Sequence, residues 1–269
     1  MRNFPPERII CLTEETVETL YLLGEQDRII GVTGYAVRPP IVRKEKERVA
    51  AFTSAKIDKI LSLQPDLVLT FSDLQGDIAA ELIKSGVAVM AYNQRDIAGI
   101  LAMIRHLGAI VGAGNKAEEL ASSYEKRLHD IHIKKKNVDR PRVYFEEWDS
   151  PMITGIKWVS ELIQIAGGQD VFFELSGNEA ATDRIVASQQ VINASPNIIV
   201  ASWCGKKVRS QTFHEREGWS VVPAVEKNYI YEIKSPLILQ PGPAALTEGL
   251  DRLVQIFNLY ENGEHNLAY

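Results

Sequence analysis

The stretch "RIICLTEETVETLYLLGEQDRIIGVT" (residues 8–33) holds two short apolar segments on either side of a helical pattern. Between them Val17, Leu20 and Leu23 recur at helical spacing, and Gly24 follows as a residue that commonly ends a helix. Apolar strands that alternate with helices are typical of a parallel sheet covered by helices on both faces. The stretch therefore predicts a βαβ unit.

The same order of elements starts again in the second half of the chain. Residues 142–173, "RVYFEEWDSPMITGIKWVSELIQIAGGQDVFF", run through a strand, an acidic turn, a helix, a glycine-rich turn and an apolar strand. Residues 188–204 likewise repeat the pattern of residues 57–73, and a proline precedes the buried strand in both. The matches occur in register, so we predict an α/β fold of two similar parallel-sheet lobes.

A long helical stretch separates the two repeats. Residues 96–137 show helical patterning throughout, with a possible break at "GAGN" (residues 112–115). We predict an N-terminal α/β lobe over residues 1–96, a long connecting helix over residues 97–137 and a C-terminal α/β lobe over residues 138–269. A ligand cleft is expected between the lobes.

The composition excludes several classes of function. The chain has 269 residues, 45% of them hydrophobic, and a net charge of −5. It can bury a core, but it lacks the basic surface that nucleic-acid binding requires. Its two cysteines, Cys11 and Cys204, are too few for a disulfide framework, and we expect reduced, mostly buried thiols. No apolar run reaches the ~18 residues of a membrane span.

Location and activity are also predicted from absent signals. The first predicted strand follows a short N-terminal segment without a hydrophobic signal region, which predicts a cytoplasmic chain as given, or a periplasmic or cell-surface one if a leader has been removed. Glycine-rich nucleotide motifs and a GxSxG nucleophile elbow are absent, which argues against an enzyme. We expect a monomer.

Acidic and aromatic side chains stand where predicted strands end. "TEE" (residues 13–15) and "EEWD" (residues 146–149) follow the first strand of each lobe, at the sheet edge where open parallel sheets bind ligands. Five aromatic residues occupy similar positions: Tyr35, Phe52, Phe71, Trp148 and Trp203. Ring faces suit a flat, largely apolar macrocycle. Trp158, within a helical pattern of apolar residues, is predicted to lie in the core.

The chain resembles the substrate-binding proteins of vitamin B12, haem and iron–siderophore ABC importers. The resemblance is carried by residues 8–40 ("RIICL" to "YAVRPP"), by "KILSLQPDLVLTF" (residues 59–71), by the long helix and by "ITGIKWVSELIQIAGGQDVF" (residues 153–172). It covers essentially the whole chain and looks closest to the cobalamin-binding branch. That branch has aromatic residues at the positions of Tyr35, Phe52, Phe71 and Trp148.

The resemblance implies a substrate-binding protein of an ABC importer that binds a cobalamin-like corrinoid and needs no cofactor. The alternatives are an iron–siderophore or haem binder on the same scaffold, or a cytosolic metal-chelate binder or sensor not tied to transport. A transporter permease is the implied partner, and one surface acid per lobe would dock onto it. The candidate docking residues are Asp77 or Glu81 in the first lobe and Glu215 or Glu217 in the second.

The predicted ligand-binding residues are Glu14, Tyr35, Phe52, Phe71, Glu147, Trp148, Trp203 and Cys204. Glu14 and Glu147 are assigned to the ligand, whereas Glu15 is expected to cap a helix, as are Thr13 and Asp149. Cys204 is a candidate soft metal ligand, with His214 read as a solvated loop residue because two ligands make a weak metal site. Alternatively, the cations Lys206, Lys207 and Arg209 would meet an anionic group of the ligand.

Overall fold

The computed structural model describes residues 4–135 and 140–265. The chain divides into two compact units. Unit 1 comprises Met1–Gln94 and Ala98–Ser123, and unit 2 comprises Arg95–Ile97 and Tyr124–Tyr269. The division falls inside the predicted connecting helix, and the predicted boundary at residues 137 and 138 lies outside the described residues. The predicted lobe boundaries therefore stay a prediction.

Unit 1 is built on one parallel sheet. Its described strands are β1 (Ile9–Cys11), β2 (Ile29–Thr33), β3 (Arg48–Ala50), β4 (Leu67–Phe71) and β5 (Val89–Tyr92). They lie in the order β3-β2-β1-β4-β5, with every neighbouring pair parallel. The sequence analysis missed β3, because three residues behind a charged run give no periodicity to read.

Helices connect these strands. The helices are α1 (Glu14–Leu23), α2 (Val42–Glu45), α3 (Ile57–Ser62), α4 (Gly76–Lys84), α5 (Ile97–Ile110) and α6 (Gly114–Lys135), with single 3-10 turns at Gln26–Arg28 and Asp73–Gln75. The predicted end of α1 is confirmed: Gly24 takes φ +77°, and its N–H donates to the carbonyls of Leu20 and Tyr21. The possible break is also observed, since Gly112 with φ +78° separates α5 from α6.

The long helix α6 connects the two units. It contains 22 residues, Gly114–Lys135, and is therefore about 33 Å long at ~1.5 Å per residue. Its first ten residues belong to unit 1 and the remainder to unit 2. Within the described residues, no helix has both the length and the apolarity to cross a membrane.

Unit 2 is built on a sheet that is mostly parallel. Its described strands are β6 (Arg142–Asp149), β7 (Met152–Thr154), β8 (Gln169–Asp170), β9 (Ile198–Ala201) and β10 (Ile230–Glu232). The order β10-β9-β6 is parallel, and the other edge of β6 is shared by β8, which is parallel, and β7, which is antiparallel. The predicted α/β fold of two lobes with parallel-rich sheets and a long connecting helix is confirmed.

Two details of this sheet differ from the prediction. The acidic "turn" at residues 146–149 is the end of β6, which continues into a hairpin with β7. Asp149 is therefore a strand residue and not a helix N-cap. The predicted apolar strand "VFF" is also wrong: only Gln169–Asp170 pair with β6, because β7 occupies the rest of that edge, and Phe173–Leu175 form a 3-10 turn.

The helices of unit 2 pack around a core that is rich in aromatic residues. They are α7 (Lys157–Ile165), α8 (Ser188–Ala194), α9 (Gln211–His214), α10 (Pro223–Glu226), α11 (Ser235–Ile238) and α12 (Leu250–Asn262), with 3-10 turns at Ala181–Arg184 and Trp219–Val221 and a π turn at Ala245–Gly249. The core includes Tyr144, Trp203, Phe213 and Trp219. Their burial anchors the segment from β9 to α10 against the sheet.

Candidate functional site

Gln75 ties together three strand ends of unit 1. Its Nε2 donates to the carbonyls of Leu12 (3.1 Å) and Phe52 (2.8 Å), and its Oε1 accepts from the N–H of Phe71 (3.0 Å). The side chain is 1% exposed. Gln75 therefore brings Phe52 and Phe71, two predicted ligand residues, to the carboxyl end of β1.

The aromatic residues of this edge differ in accessibility. Tyr35, which follows β2, is 47% exposed, and Phe52 is half-buried. Phe71, at the end of β4, is only 5% exposed. Of these three residues, Tyr35 thus offers the largest aromatic surface to a ligand, while Phe71 mainly supports its neighbours.

Two adjacent acids lie buried at the start of α1. Thr13 is the N-cap by its backbone (φ −139°, ψ 162°), as predicted, and its hydroxyl donates to Oε1 of Glu15 at 2.6 Å. Burial, together with the neighbouring charges of Glu15 and Glu18, raises the pKa of Glu14 to about 8. Burial also raises the pKa of Glu15 to about 7, against hydrogen bonds that lower it. The edge therefore presents a carboxyl, on Glu14, that is largely protonated at neutral pH.

The three acids at the end of β6 have different partners. Glu146 is fully buried. Its carboxylate accepts hydrogen bonds from both terminal nitrogens of Arg216 (2.6 and 2.9 Å) and from the Tyr144 hydroxyl (3.0 Å). Glu147, predicted to contact ligand, accepts from the buried guanidinium of Arg184 at 2.6 and 3.3 Å. Two carboxylates are thus neutralised by arginines within the fold.

The third acid, Asp149, pairs with Lys206 beside two tryptophans. The Lys206 ammonium bonds the Asp149 carboxylate and lies 4.9 Å from the ring centroid of Trp203 and 5.8 Å from that of Trp148. Trp148 is half-buried, and its Nε1 donates to the carbonyl of Ser150 at 2.9 Å. This cluster of Trp148, Asp149, Trp203 and Lys206 is the tryptophan–lysine cluster.

Trp203 and Trp158 are both buried, with different surroundings. Trp203 is 3% exposed and stacks on Phe213 at 5.9 Å between ring centroids. Trp158 is 4% exposed and donates its Nε1 to the carbonyl of Ile238, which confirms its predicted place in the core. Of the two tryptophans predicted to contact ligand, Trp148 is the more accessible.

A groove in unit 2 adjoins the tryptophan–lysine cluster. It has a volume of about 700 Å³. Asp149, Met152, Arg216 and Glu217 are among the residues that line it. The side chain of Arg216 separates this groove from the buried Glu146.

The remaining candidates lie on the surface. Cys204 is exposed, which corrects the expectation that both thiols are buried; Cys11 is buried, and burial raises its pKa to about 12. His214 is exposed and its Nε2 lies 3.2 Å from Oδ1 of Asn228. No cluster of three or more metal-ligating side chains occurs in residues 4–135 and 140–265. The predicted docking acids, all exposed, are Asp77, Glu81, Glu215 and Glu217.

The sequence analysis missed the residues that position these groups. Gln75, Arg184 and Arg216 were not singled out. Gln75 lies 23 residues along the chain from Phe52, Arg184 lies 37 residues from Glu147, and Arg216 lies 70 residues from Glu146. A buried carboxylate requires a cation or several hydrogen-bond donors. That requirement indicates that arginines pair with the strand-end acids, but it does not select which ones.

Comparison with known proteins places the chain in a family. The model of the periplasmic binding protein family matches residues 9–237, and the chain belongs to this family. The predicted resemblance is confirmed, as is the prediction that the chain is a substrate-binding protein and not an enzyme.

Named relatives cover nearly the whole chain. A vitamin B12-binding protein of Vibrio parahaemolyticus is 28% identical over 251 residues, which are 91% of this chain and 88% of the relative. An uncharacterised ABC transporter substrate-binding lipoprotein of Bacillus subtilis is 27% identical over 260 residues, 93% and 79% of the two chains. The periplasmic haem-binding protein RhuT from Roseiflexus shares the fold with a TM-score of 0.79 at 21% identity, over 93% of this chain and 98% of RhuT.

Proposed function

We propose that the protein is the substrate-binding protein of an ABC importer and that it binds a cobalamin-like corrinoid against the strand ends of its two units. The observation that carries the proposal is the set of accessible aromatic side chains at these ends, Tyr35, Phe52 and Trp148. A broad, flat macrocycle with apolar edges is complementary to such ring faces. The similarity to vitamin B12-binding proteins over most of the chain supports the same ligand class.

The electrostatics of the site suit an amide-rich ligand. Glu14 is largely protonated at neutral pH, so it can donate a hydrogen bond to an amide carbonyl as well as accept one. Glu146 and Glu147 are already neutralised by arginines. The neutral amide side chains around a corrin can therefore hydrogen-bond here, and the ligand needs no charge of its own to balance the acids of the site.

The test is a titration of the purified protein with cyanocobalamin, followed by tryptophan quenching, with haemin and a ferric siderophore titrated in parallel. We expect saturable quenching by cyanocobalamin. Trp148→Ala should weaken binding at least tenfold, because truncating an aromatic residue at the centre of a binding site costs about 2 kcal/mol. Trp158→Phe, a core change, is the matched control and should leave the affinity unchanged. Saturation with an iron ligand alone would move the function to iron uptake.

Haem is the second candidate, and Tyr35 is the observation that favours it. Its side chain is 47% exposed at a strand end, and a tyrosine phenolate is one of the axial ligands that proteins offer to haem iron. Tyr35→Phe discriminates the two ligands. The substitution should abolish the charge-transfer absorbance of a haemin complex, whereas stacking on cyanocobalamin needs only the ring and should persist.

We also propose an extracytoplasmic location and docking onto a permease through one acid of each unit. The relatives include a lipoprotein of an ABC transporter, which supports both. Charge reversal of Glu81 and Glu215, separately and together, should reduce transport by the reconstituted importer without changing ligand affinity. Reversal of Asp130, an acid on α6 whose side chain is 46% exposed, is the control. Unchanged transport in the Glu81 and Glu215 variants would leave Asp77 and Glu217 as the docking candidates.

A further inference from the structure

The tryptophan–lysine cluster has the composition of a cation-binding site whose occupant is a residue of the same chain. Its components are two indole rings and a carboxylate, and the Lys206 ammonium contacts all three. Aromatic faces combined with an acid are how proteins bind ammonium and quaternary ammonium groups. We propose that Trp148, Trp203 and Asp149 form a subsite for a positively charged part of the ligand, and that Lys206 occupies it until the ligand displaces it.

The backbone explains how Lys206 reaches this position. Gly205 takes φ +71°, and the N–H of Lys206 donates to the carbonyl of Trp203 at 3.3 Å, which closes a tight turn. The turn folds Lys206 back over Trp203. Phe213 stacks on the same indole, and the Lys206 ammonium lies over its ring at 4.9 Å from the centroid.

Both ends of this turn are anchored, whereas its tip is exposed. Before it, the N–H of Ser202 donates to the carbonyl of Glu146 at 2.9 Å. After it, the N–H of Val208 donates to Oε1 of Glu232 at 3.2 Å. Residues 204–207 between these anchors are exposed. Lys206 can therefore leave the tryptophans while the strand end stays in place.

The partners of the neighbouring acids explain why Asp149 is the acid available to a ligand. Glu146 and Glu147 are held by arginines that are 15% and 2% exposed and that donate two hydrogen bonds to one carboxylate. Asp149 is held by a lysine whose side chain is 50% exposed. Ion pairs with exposed lysines are weak, and they exchange easily for another cation.

The inference narrows the class of ligand by the charge that it presents to this unit. It rests on the proposed function, because it assumes that part of the ligand lies at Trp148 and Trp203. A chelate whose metal centre or substituent carries positive charge would pair with Asp149 and contact both indole rings after Lys206 has left. A chelate that presents carboxylates to this unit would instead bind Lys206 and keep it. The two cases predict opposite effects of removing the lysine.

The test uses choline as a cationic probe and 3,3-dimethylbutanol as its uncharged counterpart of the same shape. Binding is followed by the indole N–H resonances of the protein, with Trp203→Phe to assign the signals. If Lys206 occupies the subsite about nine-tenths of the time, Lys206→Met should tighten choline binding about tenfold. Lys207→Met, which removes the adjacent exposed lysine, should behave as the wild type. Asp149→Asn in the Lys206→Met background should remove the gain, and the neutral probe should not discriminate between the variants.

Two outcomes would overturn the inference: choline binding that is unchanged or weaker in Lys206→Met, or an equal gain in Lys207→Met. Cyanocobalamin is titrated separately on the same variants. A choline site without cyanocobalamin binding would leave the inference standing and remove the proposed corrinoid. Cyanocobalamin binding that is indifferent to Lys206, without a choline site, would remove the inference and leave the proposed function.

Discussion

Arg216 donates hydrogen bonds from both of its terminal nitrogens to the buried carboxylate of Glu146, at 2.6 and 2.9 Å, and its guanidinium packs against two aromatic rings. Its guanidinium carbon lies 4.6 Å from the ring centroid of Phe213 and 4.5 Å from that of Trp219. The pair therefore fastens the segment that carries Trp203 and Lys206 to the end of β6. Burial raises the pKa of Glu146, and the arginine opposes that rise.

Removing this arginine should destabilise unit 2. In Arg216→Met the Glu146 carboxyl stays buried without its cation, and breaking such a pair costs about 3–5 kcal/mol of the free energy of unfolding. Urea denaturation measures the loss. Arg209→Met, an exposed control in the same segment, should change the stability by about 0.5 kcal/mol or less. If Glu146→Gln in addition recovered none of the loss, the unpaired carboxyl would not be its cause.

Gln75 should matter for both stability and binding. Gln75→Leu leaves two carbonyls and one N–H without their partner at the strand ends of unit 1, and unsatisfied buried groups of this kind cost about 1–3 kcal/mol each. We expect a loss of about 3 kcal/mol by denaturation and weaker ligand binding, since Phe52 is released. Gln255→Leu, at an exposed position on α12, serves as the control. Wild-type stability in Gln75→Leu would contradict the role of these hydrogen bonds.

Glu14 should make the stability depend on pH. Its pKa is about 8 in the fold against 4.5 for the free group, so the folded chain binds this proton more tightly than the unfolded chain. The stabilisation that this proton adds to the free energy of unfolding is complete below pH 4.5 and is lost as the pH rises to about 8. In Glu14→Gln the side chain is neutral at every pH. The stability of this variant relative to wild type should therefore rise between pH 4.5 and about 8, by on the order of 2–4 kcal/mol.

Urea denaturation at several pH values tests this dependence. Glu119→Gln, an exposed change on α6, is the control and should show no such rise. A difference between wild type and Glu14→Gln that stays constant between pH 4.5 and 8 would contradict the raised pKa of Glu14.

The contact of α5 with α6 depends on Gly108. A Cβ at this position would lie 2.1 Å from the Cβ of Ala117, whereas a Cβ at Gly114 would have no neighbour within 4 Å. Gly108→Ala should therefore cost about 1–3 kcal/mol through overpacking. Gly114→Ala should be within about 0.5 kcal/mol of wild type. Equal stability of the two variants would show that the helices shift apart without cost.

Local patterns in the sequence were sufficient to predict the fold, but only part of the candidate site. The capping Gly24, the break at Gly112 and the buried strands are each encoded by neighbouring residues. The hairpin of β6 and β7 was not predicted, because acidic and aromatic residues at a strand end are also typical of a turn. Local patterns also could not predict the partners of Glu146, Glu147 and Phe52, because Arg216, Arg184 and Gln75 reach these residues only through tertiary packing.

Equilibrium dialysis of cyanocobalamin against the purified protein tests the central claim most directly. The bound ligand is measured by its own visible absorbance, so the result does not depend on the tryptophans. We predict saturation with one equivalent per chain, and at least tenfold weaker binding by Trp148→Ala. No retention of cyanocobalamin by folded protein, with saturable retention of haemin or a ferric siderophore, would contradict the corrinoid assignment.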